Sequence, residues 1–468
     1  MSNYAAVRDD VLIGDRRGDA LYQRIFVVSA YGGITDLLLE HKRSGEPGVY
    51  ALFAHSDNSR EDSGNWQAQL DRVATAMCAH NAELFRGDAR AQADAFILER
   101  IDSVRNCLLD LQRVCSIGHF QLTEHLQTVR ELLASLGEAH SAWNTAALLR
   151  ADGVNARFVD LSGWRNTQLM PLDEMIAHTF ADIDLAAELP IVTGYCQCSE
   201  GLMRSFDRGY SEMTFSRVAV LTGAREAIIH KEFHLSSADP RIVGADKVVP
   251  IGRTNYDVAD QLANLGMEAI HPRAAKGLRQ RSIPLRVKNT FEPEHGGTLI
   301  TRDYVSRTPC VEIIAGRKHV FAIEVFDQEM VWANRYDSEI LEEIRRFKAR
   351  IITKDLNANT ITHFLDTNLK TAKRIDAALR ERFPSAEVRT RTVAIVSAIG
   401  SDMQVPGMLA KTVQALASRD ISVLAMHQSM RQVDMQFVID EQDYEAAVKS
   451  LHEHLVEPHN HGLAICAA

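Results

Sequence analysis

Four short clusters in this chain bring together residue types that handle anions and ammonium groups. Ser29-Ala30-Tyr31-Gly32-Gly33-Ile34-Thr35 follows an apolar run and precedes an apolar helical segment, Asp36 to Leu39. Exposed backbone N–H groups at such a strand–turn–helix corner favour an anion, although the same two glycines also make a plain turn. Ser135-Leu136-Gly137-Glu138 offers a carboxylate to a substrate ammonium, or simply a solvent-exposed helix start. Phe206-Asp207-Arg208-Gly209-Tyr210-Ser211-Glu212 combines a guanidinium that can grip a carboxylate in a fork, a flexible glycine, and hydroxyl and carboxylate groups. It reads equally as a charged surface loop. Ala238-Asp239-Pro240-Arg241 is a turn with φ fixed at the proline and an arginine able to reach phosphate. The chain carries no Gly-x4-Gly-Lys-Ser/Thr loop, no Gly-x-Gly-x-x-Gly fingerprint and no protein-kinase signature. A phosphate cradle here is therefore of another kind.

The elements that must position these clusters are legible in outline. Residues 21–30 end in a β-branched run that reads as a buried strand, with Tyr31-Gly32-Gly33 as its turn. Residues 55–65 are a polar loop, and a long helical stretch follows to about residue 136. In it Ile97, Ile101, Val104, Leu108, Leu111 and Cys115 step by three and four, tracing one buried face. From 148 to 260 short apolar runs (ARFVDL, LPIVTGYC, SRVAVLTGA, RIVGADKVVP) alternate with helical segments, the texture of an α/β domain with a largely parallel sheet. After residue 300 the order βαββα occurs twice. The first unit has strand 311–325, a helix with Ile340, Ile344 and Phe347 inward, two strands, and a helix with Ile375, Leu379 and Phe383 inward. The second has strand 392–400, helix 406–418 with Leu409, Val413 and Leu416 inward, and strand 421–427. Val433, Met435, Phe437 and Ile439 then alternate as in a half-buried strand, before a last helix at 443–456. Pro384-Ser385 reads as the hinge between the units, and the apolar tail 462–466 as a returning strand.

Bulk properties bound the function. A chain of 468 residues implies two or three domains, and 46% hydrophobic with 24% charged residues is the balance of a globular protein. Net charge is -10 with no clustered basic footprint, which argues against a nucleic-acid partner. Seven cysteines without disulfide-like spacing point to a reducing compartment. There is no membrane-length apolar run and no signal-like start, so a cytoplasmic location is expected.

The joint order of the clusters resembles the aspartokinases, members of the amino-acid-kinase family with tandem C-terminal ACT modules. VVSAYGGITDLLL (27–39) resembles the family's Val-Val-Ser-Ala-x-x-Gly-x-Thr-Asp, and SLGEAHSAWNTAALLRADGVNARFVDL (135–161) its Gly-Glu helix and following strand. PIVTGYCQCSEGLMRSFDRGYSE (190–212) resembles the Pro-x-x-x-Gly-Phe segment ending in Gly-Arg-Gly-Gly-Ser-Asp, and SADPRIV (237–243) the nucleotide-side Asp-Pro-Arg. GMEAIHPRAA (266–275) and IPLRVKNTFEPEHGGTLI (283–300) match the end of the catalytic domain, and QSMRQVDMQFVIDEQD (428–443) the second ACT module.

The resemblance implies an α/β fold: a mostly parallel open sheet between helix layers, plus two βαββα ACT-like modules. The implied domains are 1–300 for the kinase, 301–388 for module one, completed by 457–468, and 389–456 for module two. It implies transfer of the γ-phosphoryl of ATP, with Mg²⁺ carried by the nucleotide, to the β-carboxylate of L-aspartate. By similarity Thr35, Glu138 and Arg208 hold aspartate, Glu138 its ammonium and Arg208 a carboxylate. Ser29 lies near the phosphates, and Glu212 keeps the charge of a family aspartate with longer reach. Ser236 and Arg241 fall on the nucleotide side, where His230-Lys231 replaces the family's Thr-Asp and Glu268 its lysine. A homo-oligomer, dimer or higher, built through the ACT modules and an amino-acid effector bound at them are implied. Asn334-Arg335-Tyr336-Asp337 in place of Gly-Phe implies weak or altered lysine feedback. The departures resemble the branch found beside ectoine biosynthesis.

Met1-Ser2-Asn3-Tyr4-Ala5-Ala6-Val7 looks like the sequence just after the family's Lys-x-Gly-Gly-Thr-Ser, with Met1 at the motif's last position. The first strand and its lysine are therefore expected upstream of Met1, through a misassigned start or a truncation. The missing lysine and degraded nucleotide motifs favour one other reading, a catalytically impaired amino-acid sensor on the same scaffold; a kinase with another acceptor such as glutamate is a third, against which the tandem ACT modules argue. Cys196-Gln197-Cys198 lacks a second pair at zinc spacing and reads as buried strand, and His452, His454, His459 and His461 as a solvated tail.

Overall fold

The computed structural model describes residues 4–41, 44–56, 65–206, 209–267, 269–308, 310–332 and 335–458. The chain divides into two compact units, 1–225 and 226–468.

The first unit runs α1 (Tyr4–Val7), β1 (Phe26–Val28), α2 (Ile34–Leu38), α3 (Val49–His55), α4 (Asn65–Leu84), α5 (Gly87–Cys115), α6 (Leu122–Ala151), β2 (Ala156–Val159), α7 (Leu172–Phe180), β3 (Leu189–Thr193), α8 (Leu202–Phe206) and α9 (Tyr210–Leu221). Its sheet is parallel, in the order β1-β3-β2, with Val27 opposite Val192 and Phe158 opposite Ile191. The long helical stretch is three helices rather than one, and α6 runs well past residue 136. Ile97, Ile101, Val104 and Leu108 are buried as their spacing requires, in one core with Leu70, Val73, Met77, Leu133 and Leu136. SRVAVLTGA is not a strand but the end of α9. A short apolar run does not distinguish the two states, and here Val218 and Ala219 simply form the buried face of a helix.

The second unit runs β4 (Ala227–Lys231), α10 (Pro240–Val243), β5 (Arg253–Asn255), α11 (Tyr256–Asn264), α12 (Pro272–Gln280), β6 (Leu285–Asn289), β7 (Thr298–Thr301), β8 (Ile313–Phe326), α13 (Arg335–Arg346), β9 (Arg350–Leu356), β10 (Thr360–Asp366), α14 (Leu369–Arg382), β11 (Glu387–Ile399), α15 (Met408–Ala417), β12 (Val423–Gln428), β13 (Asp434–Asp440) and α16 (Tyr444–Leu455). RIVGADKVVP thus yields only the short α10. One sheet has the order β4-β6-β7-β5, with β4 parallel to β6 and β5 parallel to β7.

The two βαββα units form one continuous sheet, β12-β13-β11-β8-β10-β9. β8 and β11 are long enough to serve both halves. Val325 and Ile323 of β8 pair with Val388 and Thr390 of β11, and further along Ile314 pairs with Ala398. Pro384-Ser385 is therefore the turn between α14 and β11, not a hinge: a shared strand joins the halves. β13 lies inside the sheet and is buried on both faces, which corrects the half-buried expectation. On α15 the inward residues are Met408, Thr412, Ala415 and Leu416, whereas Val413 is exposed. His452 is fully buried rather than in a solvated tail, and its Nε2 lies 3.0 Å from Ser237 Oγ. The tail strand expected at 462–466 lies outside the described residues.

Leu235, Ile251, Val258 and Leu262 share a core with Ile313, Val320 and Val393 of the six-stranded sheet. Ile314 N–H donates to Ser237 O at 2.7 Å. The 235–251 segment is thus built onto that sheet.

Candidate active site

Glu138 stands in the middle of α6, not at an exposed helix start, and is 2% exposed. It is buried because α6 carries small residues around it and is flanked by two loops that follow strands. On one side the loop after β1 comes so close that a Cβ on Gly137 would lie 2.8 Å from the Ala30 Cβ. On the other, a Cβ on Gly194 would lie 2.4 Å from Glu138 Oε2. Both positions require glycine for close approach rather than for an unusual φ.

Ser211, in the first turn of α9, donates from Oγ to Glu138 Oε1 at 2.6 Å. Among the described residues Glu138 Oε2 has no partner in good hydrogen-bond geometry. Burial pushes the Glu138 carboxyl up to about 8, against the Ser211 hydroxyl, the backbone N–H groups of Tyr195 and Ala30, and the Tyr210 hydroxyl, all of which favour the ionised form. Among the described residues, none of the main groups acting on it is a cation. A buried carboxylate normally has one, since an isolated buried charge is expensive.

Tyr195, just past β3, forms another wall. Its hydroxyl donates to Glu131 Oε2 at 2.5 Å, and its ring meets that of Tyr210 edge-on at 5.8 Å. Glu131 also accepts from Met203 N–H at 2.8 Å, tying α8 to α6. A cavity of about 640 Å³ opens beside these residues, lined by Gln127, Glu131, Trp164, Tyr195, Gln197 and Arg204 among others.

Of the expected residues, Ser29 is tied to α6 beside Glu138, and Thr35 lies on the short helix that follows the same loop. Ser29 directly follows β1, is exposed, and its carbonyl accepts from Ser141 Oγ of α6 at 2.8 Å. Thr35 is half-buried on α2, beside Ile34, whose Cγ2 would lie 3.2 Å from a Gly137 Cβ. Glu212 is in the first turn of α9, next to Ser211. Arg208 and Glu268 lie outside the described residues. The roles of Ser211 and Tyr195 are not readable from spacing, because the contacts that reveal them join residues far apart in sequence, 138 with 211 and 131 with 195.

The residues expected on the nucleotide side belong to the second unit. His230 and Lys231 end β4, His230 exposed and Lys231 half-buried, with the Lys231 carbonyl accepting from Thr290 N–H and Oγ1 at 2.9 Å each. Ser236 bridges to Pro250 and is half-buried. Arg241 is exposed and forks onto Asp239, Nε to Oδ1 at 3.1 Å and Nη2 to Oδ2 at 2.7 Å. Asp239 also caps α10 through Arg241 N–H. β4 and β6 are parallel and end at Lys231 and Asn289, the strand edge where open α/β sheets place ligands.

The pattern of the amino acid kinase family matches residues 9–289, and that of an ACT domain matches 396–455. Over 469 residues the sequence is 58% identical to the aspartate kinase Ask_Ect of Stutzerimonas stutzeri strain A1501, covering 100% of this chain and 98% of the relative. The chain belongs to the aspartate kinases. The fold agrees. Aspartokinase III of E. coli, in a structure with lysine and aspartate, superposes with a TM-score of 0.71 at 19% identity, covering 97% of this chain and 96% of that one. The same enzyme with aspartate and ADP gives 0.70 at 19% identity, covering 96% of each chain. Among the described residues of this aspartate kinase, no helix is long and apolar enough to cross a membrane.

Proposed function

We propose that this chain transfers the γ-phosphoryl group of ATP to the β-carboxylate of L-aspartate, giving 4-phospho-L-aspartate. One observation carries the assignment of the acceptor site: Glu138 is a buried carboxyl group with, among the described residues, one oxygen lacking a hydrogen-bond partner and no cation beside it. An α-ammonium group supplies the missing charge. The acceptor oxygen is a carboxylate, already ionised at neutral pH, so the site needs no general base. The work left to the protein is to align two anions and offset their repulsion.

In this reading Glu138 holds the ammonium, Ser211 orients Glu138, and Thr35 and Arg208 hold the rest of aspartate. Ser29 lies by the phosphates, and Glu212 is placed to act there through its charge. His230, Lys231, Ser236, Arg241 and Glu268 serve the nucleotide, and MgATP is the substrate form, the metal arriving with the phosphates. Residues 1–300 are the kinase domain, and the six-stranded sheet with its helices holds the two ACT-like modules. A cavity of about 320 Å³ at the start of α15, lined by Met403, Gly407, Gln428 and Gln432 among others, supports an amino-acid effector site. A homo-oligomer formed through these modules, a cytoplasmic location and a first step toward aspartate-family amino acids or ectoine complete the reading.

The sensor alternative has no observation in its favour. The test is ATP with L-aspartate in the presence of hydroxylamine, which traps the acyl phosphate, with L-glutamate in parallel. Hydroxamate from aspartate alone is expected. No hydroxamate from aspartate would overturn the reading.

A further inference from the structure

Behind the acceptor pocket, the core of the first unit contains a chain of buried polar side chains that the phosphoryl transfer does not use. Asn81 of α4, and His140 and Asn144 of α6, are each 0% exposed. Polar groups are expensive at such positions, so a connected set of them calls for a reason beyond filling space.

Their polarity can be worked out from one end. Asn81 Nδ2 donates to Asp94 Oδ1 at 2.9 Å, and a carboxylate oxygen offers only lone pairs. Asn81 must therefore turn Oδ1 inward. Two donors meet that oxygen, His140 Nε2 at 2.7 Å and Asn144 Nδ2 at 2.8 Å. His140 thus carries its proton on Nε2 and is neutral, in keeping with burial pressing its pKa down to about 3. The second hydrogen of Asn144 Nδ2 goes to the Tyr31 hydroxyl oxygen at 3.3 Å. The Tyr31 ring is stacked on His80, centroids 4.8 Å apart, and meets His140 edge-on at 5.3 Å. Tyr31 is 3% exposed.

Tyr31 is the middle residue of the Ser29–Gly33 loop, and that loop is one wall of the acceptor pocket. Its neighbour Ala30 presents a backbone N–H toward Glu138, and Ser29 O accepts from Ser141 of the same helix. Gly33, at φ 80°, is the loop's exit into α2, and Ile34 N–H donates to Tyr31 O at 3.2 Å. A shift of Tyr31 therefore moves Ala30 relative to Glu138.

We propose that Asn144 and Tyr31 are positioning residues for aspartate, and that the chain of polar side chains Asp94–Asn81–His140–Asn144–Tyr31 sets the distance between the Ser29–Gly33 loop and Glu138. This rests on the reading of that pocket as the aspartate site. The chain touches neither substrate and acts through the loop. Its signature is a split: KM for aspartate moves while KM for ATP does not.

The experiment measures both KM values for wild type, Tyr31→Phe, Asn144→Leu, His140→Gln and His140→Leu, with circular dichroism to confirm folding. Asn144→Leu is expected to raise KM for aspartate about 10-fold and Tyr31→Phe about 3-fold, with KM for ATP within about 2-fold of wild type. His140→Gln keeps a donor for Asn81 and is expected to rescue most of what His140→Leu loses. Should Asn144→Leu not fold, Tyr31→Phe, which removes a single oxygen atom, decides alone. Unchanged KM for aspartate in folded Tyr31→Phe, or KM for ATP rising in step with it, overturns the proposal. Wild-type turnover of aspartate in the same assay tests the underlying reading separately. If wild type does not act on aspartate, the reading and this proposal fall together.

Discussion

Glu138 is buried with no cation beside it among the described residues, whereas Arg241 is exposed and already forks onto Asp239. The two ends of the proposed reaction are thus built on different physics. The acceptor end stores an unmet demand for charge inside a core of its own, made by α6, β1, β3 and their loops. The nucleotide end presents groups on a surface segment whose core is shared with the six-stranded sheet. In a dry site a single interaction carries much of the binding. On a wet surface several weak ones share it, and each is screened. Substitutions at the two ends should therefore differ in size and in which substrate they affect.

The largest effect is expected at Glu138. Glu138→Gln keeps the shape and removes the charge, and should lower kcat/KM for aspartate by about 10²-fold or more, the scale of a buried charged partner lost. KM for ATP should stay near wild type. The same substitution should stabilise the free protein at pH 8. A carboxyl whose folded pKa is raised above its unfolded value opposes folding increasingly as pH rises from the unfolded pKa toward the folded one, here about 8. A thermal melt at pH 8 should therefore show a higher Tm for Glu138→Gln, and a lower one would contradict the account. Next in size is pH itself. Substrate ammonium binds the ionised form, so KM for aspartate in wild type should fall as pH rises from about 6.5 toward 8, and the slope should vanish in any active Glu138→Gln preparation. Ser211→Ala removes the 2.6 Å hydrogen bond to Glu138 Oε1, and should raise KM for aspartate about 10-fold, as expected for a hydrogen bond to a charged group. The smallest effect belongs to the nucleotide side: Arg241→Ala should raise KM for ATP by about 2- to 5-fold and leave KM for aspartate alone. An Arg241 effect as large as that of Glu138 would break the contrast.

How much of this was legible beforehand differs between the two regions for a related reason. Periodicity marks faces, and Ile97, Ile101, Val104 and Leu108 turned inward as their spacing required. It does not state how many partners cover a face, so β13 looked half-buried until β11 and β12 were seen on either side of it. It also does not separate a short apolar helix from a strand, as α9 shows. The nucleotide-side turn Asp239-Pro240-Arg241 could be read as local chemistry because its bonds are local. Glu138 could be named from its motif, but not its burial. That depends on Gly194 and on the loop at Ala30, and neither is near it in sequence. The Asn81–His140–Asn144–Tyr31 chain joins three separate elements and leaves no mark in local spacing. His452 looked like tail because its partner, Ser237, lies more than two hundred positions away.

The central claim is that Glu138 is the receptor for the aspartate ammonium and is held largely protonated until aspartate arrives. Calorimetry of L-aspartate binding at pH 7, repeated in buffers of different ionisation enthalpy, counts the protons exchanged. The account predicts close to one proton released per aspartate bound by wild type, and none by Glu138→Gln. Binding by wild type with no proton release, or an equal release from Glu138→Gln, would contradict it.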